Sequence, residues 1–168
     1  MLKFRTDVCP NDSGSSENRW RKVVIAMDGS QQAKYALKWY INNIYRPTDR
    51  IILVHAIEPQ LAKHLTDSDK EGGLKTDEEE GTRLKAKLDS YQQLLTEFKL
   101  MGEVKPVSDK TPGKAIISAI EELNADVLVT GSRGHGRIRR AVLGSVSEYL
   151  LHRARIPVVI CKESSSDV

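Results

Sequence analysis

The sequence predicts an α/β domain built on one open, five-stranded parallel sheet with helices on both faces. Three observations predict it. Short apolar runs rich in β-branched residues alternate with segments of helical periodicity, in the order β-α-β-α-β-α-β-α-β. Near-continuous apolar strands belong to a sheet covered on both sides. No stretch repeats, and 168 residues suit a single domain with a substantial core.

Residues 1–19 are polar, without periodicity, and read as a disordered leader; 20–162 read as the domain and 163–168 as a flexible tail. Lys22 to Asp28, KVVIAMD, is the first strand. Ser30 is a plausible N-cap. Ala33, Leu37, Tyr40, Ile41 and Ile44 then share one helix face, which Pro47 closes. Ile51 to Ile57, IILVHAI, is the second strand. Residues 58–76 are polar, contain Gly72-Gly73 and read as a mobile excursion. Leu84, Leu88, Tyr91, Leu95 and Phe98 mark the clearest amphipathic helix, which stops near Gly102. Val104 to Val107 is a short strand that Pro106 assigns to an edge. Thr111-Pro112 starts the next helix as cap and first-turn proline, and Asn124 suits its end. Asp126 to Gly131 is the fourth strand, Ser145 opens the last helix, and Ile156 to Cys161 is the fifth strand.

The totals exclude several classes. Lysine and arginine exceed aspartate and glutamate by 26 − 23 = 3, too few to imply nucleic acid. No aromatic residues interleave with the clustered arginines for base stacking, which also argues against RNA. No apolar run approaches the ~18 residues of a membrane span. Cys9 and Cys161 make no disulfide framework, and MLKFRTDVCP lacks a signal-peptide core; a cytoplasmic location follows.

Chemistry concentrates in Val127 to Ser147, VLVTGSRGHGRIRRAVLGSVS. Strand, glycine loop and helix N-terminus is the arrangement that surrounds a phosphate with backbone N–H groups. The two common phosphate loops fail. Gly131 and Gly136 have the Walker spacing, but Arg137-Ile138 stands where Lys-Ser/Thr is required. Gly134-His135-Gly136 has Arg139 in place of the third glycine of the dinucleotide fingerprint.

The spacing that does fit is Gly131-x2-Gly134-x9-Gly144-Ser145, which resembles the nucleotide loop of the universal stress protein family. Asp28 at the end of the first strand resembles that family's second hallmark, and the resemblance covers about residues 20–162. It implies strand order 3-2-1-4-5 and ATP, with accompanying Mg²⁺, bound between strands 1 and 4. Strand order reverses there, where ligands of open α/β sheets sit. By resemblance Asp28 and Ala56 contact adenine, and Ala26 and Gly131, with Thr130 beside it, hold the ribose. Gly134, Gly144 and Ser145 bind phosphate, Val146 and Ser147 donate from the helix start, and Arg133 is a further cofactor-binding candidate. The family also implies a homodimer paired through Ile156 to Cys161; protein partners stay unknown, and because the residues offer no catalytic constellation or evident base to activate water, any ATP hydrolysis is expected to be slow.

Competing readings stay open. Ser145-x-x-Glu148 is also a capping box, which needs no ligand. Asp28 could be a capping or solvated carboxylate. Arg133, His135, Arg137, Arg139 and Arg140 could balance phosphate charge or be a solvated basic loop. His55 reads as a packed, satisfied histidine, and His64 and His152 have no partners at metal-ligand spacing; no protein metal site is expected. A fold-sharing interaction protein that binds no nucleotide, and a nucleotidase or phosphotransferase using the basic loop, are the alternative functions. A branched side chain at Gly131 is expected to block the ligand and spare the fold.

Overall fold

The computed structural model describes residues 20–66, 75–134 and 143–163. The expected leader, most of the tail, and His135, Arg137, Arg139 and Arg140 lie outside them. Five parallel strands form one sheet in the order β3-β2-β1-β4-β5. The strands are β1 (Arg21–Ala26), β2 (Asp49–Ile57), β3 (Gly102–Ser108), β4 (Val127–Gly131) and β5 (Val158–Cys161). The helices are α1 (Gln31–Asn43), α2 (Pro59–Thr66), α3 (Lys75–Glu97), α4 (Pro112–Leu123) and α5 (Ser145–Arg153).

Side-chain alternation along β1 builds two cores. Val23 and Ile25 pack with Ala33, Leu37 and Tyr40 of α1 and Tyr91 and Leu95 of α3. Val24 and Ala26 point to the other face, onto Ile116 and Ile120 of α4 and Leu150 of α5. Both faces are therefore covered, which is why the central strands are apolar throughout.

Local signals are used as the sequence suggests. The Ser30 hydroxyl accepts from the Ala33 N–H at 3.2 Å, and Thr111 caps α4 by accepting from Lys114 N–H at 3.4 Å, with Pro112 following. Asn124 ends α4 at φ 49°. β3 is an edge strand, as Pro106 requires, but runs from Gly102 rather than Val104. A Cβ at Gly102 would stand 2.2 Å from the Ile51 carbonyl oxygen, so glycine lets β3 start this early.

β1 ends at Ala26 rather than Asp28, β2 begins at Asp49 rather than Ile51, and β4 begins at Val127 rather than Asp126; larger differences follow. The excursion over 58–76 contains α2 and the start of α3. Pro59 opens α2 at a position where its missing N–H costs nothing, and Leu61, Ala62 and Leu65 supply a helical pattern that the polar context masks. α3 stops at Glu97, before Gly102, because Lys99 turns to φ 52° and Leu100 N–H closes on Leu95 O at 2.8 Å. β5 begins at Val158 rather than Ile156, although the Pro157 carbonyl still accepts from Leu128 N–H at 3.0 Å.

The amino ends of β1 and β2 are tied by a buried ion pair. Asp49 is fully buried and accepts from Arg21 Nε at 2.7 Å, Arg21 Nη2 at 2.5 Å and Arg46 N–H at 2.9 Å. The Tyr40 hydroxyl donates to the same carboxylate. All four valences of the charge are met at the end of the sheet away from the loop glycines.

Candidate functional site

Strand order reverses between β1 and β4, which pair directly from Val23↔Val127 to Ile25↔Val129. β1 leads outward to β2 on one side and β4 leads to β5 on the other. Their carboxyl ends open a cavity of about 480 Å³. That lies within the roughly 300–1,000 Å³ of small-molecule sites. All eleven residues singled out by resemblance line it: Ala26, Asp28, Ala56, Thr130, Gly131, Arg133, Gly134, Gly144, Ser145, Val146 and Ser147. Two segments separated by about a hundred residues thus meet at one cleft.

Asp28 serves both the turn and the cleft. Its Oδ1 accepts from Ser30 N–H at 2.8 Å, holding the turn into α1. Its Oδ2 lies 2.2 Å from where a Gly134 Cβ would stand, so the two halves of the cleft touch. Gly29 between Asp28 and Ser30 has φ 90°, a conformation open to glycine.

The loop glycines act differently from one another. A Cβ at Gly131 would meet the Gln32 backbone at 2.9 Å, so this glycine admits α1 against β4 rather than a ligand. The expectation that a branched residue there spares the fold is therefore corrected. The Gly131 carbonyl already accepts from Ser147 Oγ at 2.8 Å and Thr130 Oγ1 at 3.3 Å. The Gly144 N–H is likewise engaged, donating to Ser132 O at 2.8 Å.

The capping reading of Ser145 is also corrected. Gly144 is the N-cap of α5, Ser145 is the first helical residue, and no side chain caps this terminus. The capping box fails because the helix starts one residue early for it. Ser145 is exposed at the cleft, and the first-turn N–H groups of Ser145, Val146 and Ser147 have no partners within the helix. Ser145→Ala should accordingly leave Tm unchanged, within the ~0.5 kcal/mol of a neutral surface change. A thermal melt checks this against the ~1 kcal/mol that a lost cap costs.

His55 is packed as expected: its Nδ1–H donates to Met27 O at 2.6 Å and its ring meets Tyr91 edge-on. Arg133 lines the cleft and is half-buried. Among the described residues no group of three or more His, Cys, Asp or Glu could hold a metal ion. No helix among them is long and apolar enough to cross a membrane.

The sequence reading missed Met27, Ala33, Val54, Pro112, Ile116, Leu143 and Glu148, which also line the cleft. Val54 and Ile116 carried only the signal of core residues. Their place in the wall depends on the α4 N-terminus leaning over β2, which no local pattern reveals. Glu148 was legible only as the partner in a capping box. The cleft is thus apolar along Ala26, Val54, Ala56 and Ile116, and polar at Gly134, Gly144 and Ser145. A planar apolar group joined to an anion matches that division.

Comparison with known proteins agrees with the fold. The sequence profile described as "Universal stress protein family" matches residues 19–162. A universal stress protein of Mycobacterium tuberculosis is 27% identical over 154 residues, covering 90% of this chain and 51% of that protein. The chain spans about half the length of that curated relative. A universal stress protein family structure from Arabidopsis thaliana with AMP bound superposes with a TM-score of 0.62 at 22% identity, over 86% of this chain and 93% of that one. A universal stress protein in complex with cAMP gives a TM-score of 0.62 at 24% identity, over 84% and 96%. At these identities the structures establish the fold, and the profile establishes membership. The chain belongs to the universal stress protein family.

Proposed function

We propose that this chain binds an adenine nucleotide in the β1–β4 cleft and acts as a nucleotide-responsive regulatory module. The observation that carries the reading is the convergence of Asp28 and the glycine loop on one cavity with an apolar wall and a polar end. Related structures with AMP or cAMP support it.

In this reading adenine lies along Ala56 and Val54 beside Asp28. The ribose sits by Ala26, Thr130 and Gly131. The phosphates approach Gly134, Gly144, Arg133 and Ser145, together with the N–H groups of Ser145, Val146 and Ser147. The Gly131 contact is backbone surface, since its carbonyl is already occupied. Gly144 contributes space rather than a donor. The helix dipole adds only about 0.3–1 kcal/mol. Charge-assisted hydrogen bonds, at about 1.5–3 kcal/mol each, supply most of the phosphate affinity.

ATP is the proposed nucleotide, with Mg²⁺ held by the phosphates and its own waters. The cleft's own carboxylates, Asp28 and Glu148, fit that arrangement better than a protein cage. In this reading the module is at most a slow ATPase. Nucleotide binding would favour one state of the loop and thereby a partner surface. The proposal extends to a cytoplasmic homodimer paired through the edge strand β5, since an apolar edge needs covering.

Calorimetry with ATP, AMP and GTP, with and without Mg²⁺, tests the reading. Saturable heat with adenine nucleotides is expected. No heat at millimolar nucleotide would overturn it. Phosphate release should stay below about 1 s⁻¹, the slow end of ordinary turnover; faster multiple turnover would make the protein an enzyme.

A further inference from the structure

Beside the Asp28 turn, on the α3 side of the sheet, lies a polar atom that the fold leaves unused. The Tyr91 hydroxyl is buried, its residue only 2% exposed. Among the described residues it is the one buried side-chain polar atom without a hydrogen-bond partner. Such a donor costs the fold its desolvation without return, so its retention needs a reason. The hydroxyl stands 3.3 Å from the position of a Gly29 Cβ, and Lys87 Nζ stands 3.5 Å from the same point. Gly29 therefore leaves room for the hydroxyl directly against the turn that carries Asp28. The ring is fixed by its edge-on contact with His55, centroids 5.6 Å apart, and His55 is anchored on Met27. Burial first, and the Asp28 charge second, raise the Tyr91 pKa, so the group is a phenol that can donate throughout the physiological range.

We propose that Tyr91 is a positioning residue for nucleotide binding, whose hydroxyl is kept unpartnered in the free protein and donates to the Asp28 carboxylate when that side chain turns from Gly134 to meet the ligand. The inference rests on the nucleotide reading above. The geometry gives the reason for the turn. Asp28 Oδ2 occupies the space where a Gly134 Cβ would stand, and both residues line the cleft. A ligand spanning both ends displaces it. A displaced carboxylate needs a new donor, and the one buried donor without a partner lies beside its turn. Each group then completes the other only in the bound state. That differential makes a contact contribute to affinity rather than to stability.

Tyr91→Phe separates the two roles. A hydroxyl idle in the free protein can be removed without loss, so the variant's Tm should be unchanged or raised. Its affinity for AMP should fall about tenfold or more, the scale of one hydrogen bond to a charged group. With tyrosine labelled at ¹³Cζ, the resonance missing from Tyr91→Phe should move toward the phenolate side when AMP is added to the unaltered chain. Equal affinity in both chains, or an unmoved resonance, would overturn the inference and leave the nucleotide reading standing. A variant that loses Tm along with affinity would overturn it too, assigning the hydroxyl to the fold. If the unaltered chain binds no AMP, ATP or cAMP, the nucleotide reading fails, and the inference with it.

Discussion

Asp49→Asn is expected to lower the stability of the fold by about 3–5 kcal/mol, the cost of breaking a buried ion pair from one side. The carboxylate is wholly buried and accepts from the Arg21 guanidinium twice, the Arg46 amide and the Tyr40 hydroxyl. An asparagine keeps the shape but turns one acceptor into a donor among donors, and it leaves Arg21 without its counter-charge. Against a typical total of about 5–15 kcal/mol the loss is large, and a urea melt would show it as a lower midpoint. The same site predicts an acid limb. Burial alone would raise the Asp49 pKa, but the hydrogen bonds from Arg21, Tyr40 and Arg46 outweigh it and hold the group below its ordinary value of 3.8. The folded pKa lies below the unfolded one. The stabilisation is therefore complete above the ordinary value and is lost as pH falls from there through the folded value. Asp49→Asn should flatten that limb. A variant as stable as the parent chain at neutral pH would refute the account.

Gly134→Ala should lower nucleotide affinity by about ten- to a hundredfold, the cost of one or two lost contacts, while Tm stays within a degree or two. The new Cβ would stand 2.2 Å from Asp28 Oδ2. That oxygen ends a short side chain which can rotate aside, so the fold loses little. Gly134 is exposed, and no positive φ constrains it. The cleft, however, keeps a methyl group between Asp28 and the loop and loses its close approach. Gly131→Val makes the control of opposite character. Its side chain meets the Gln32 backbone at 2.9 Å, so α1 must move and stability falls with any binding. Parallel melts and titrations of the two variants distinguish a cleft residue from a packing residue. Undiminished affinity in Gly134→Ala would remove the loop from the proposed site.

The contrast between those glycines shows what a sequence conveys and what it withholds. The spacing Gly131-x2-Gly134-x9-Gly144 locates the cleft, because a loop that turns sharply beside a helix start needs residues without Cβ. It does not say which neighbour each missing Cβ admits: a helix at Gly131, a carboxylate at Gly134, the Arg133 backbone at Gly144. Those neighbours come from distant segments. Strands and caps were legible for the opposite reason. Val23 to Ile25, the Ser30 and Thr111 caps and the Asn124 terminus obey rules of a few adjacent residues. Ser145 failed as a cap because the Gly144 N–H bonds to Ser132 and sets the helix start one residue earlier than the capping box requires. α2 was lost in a polar context, where the polar run of residues 58–76 outweighed two leucines and a proline. Tyr91 was legible as one more residue on an apolar stripe. Only its surroundings reveal a hydroxyl with nothing to bond.

The pairing of β1 with β4 also bears on how the protein is made. Val23 meets Val127 across about a hundred residues of intervening chain, and the cleft exists only where those two strands lie side by side. During synthesis Asp28 emerges long before Gly131, so a nascent or truncated chain offers half a cleft and nothing for a ligand to hold. A small molecule that binds there selects finished chains. At a hundredfold excess over its dissociation constant it would add about 2.7 kcal/mol to them alone. The topology that places the cleft between distant strands would therefore make occupancy of the proposed site a check on completed folding.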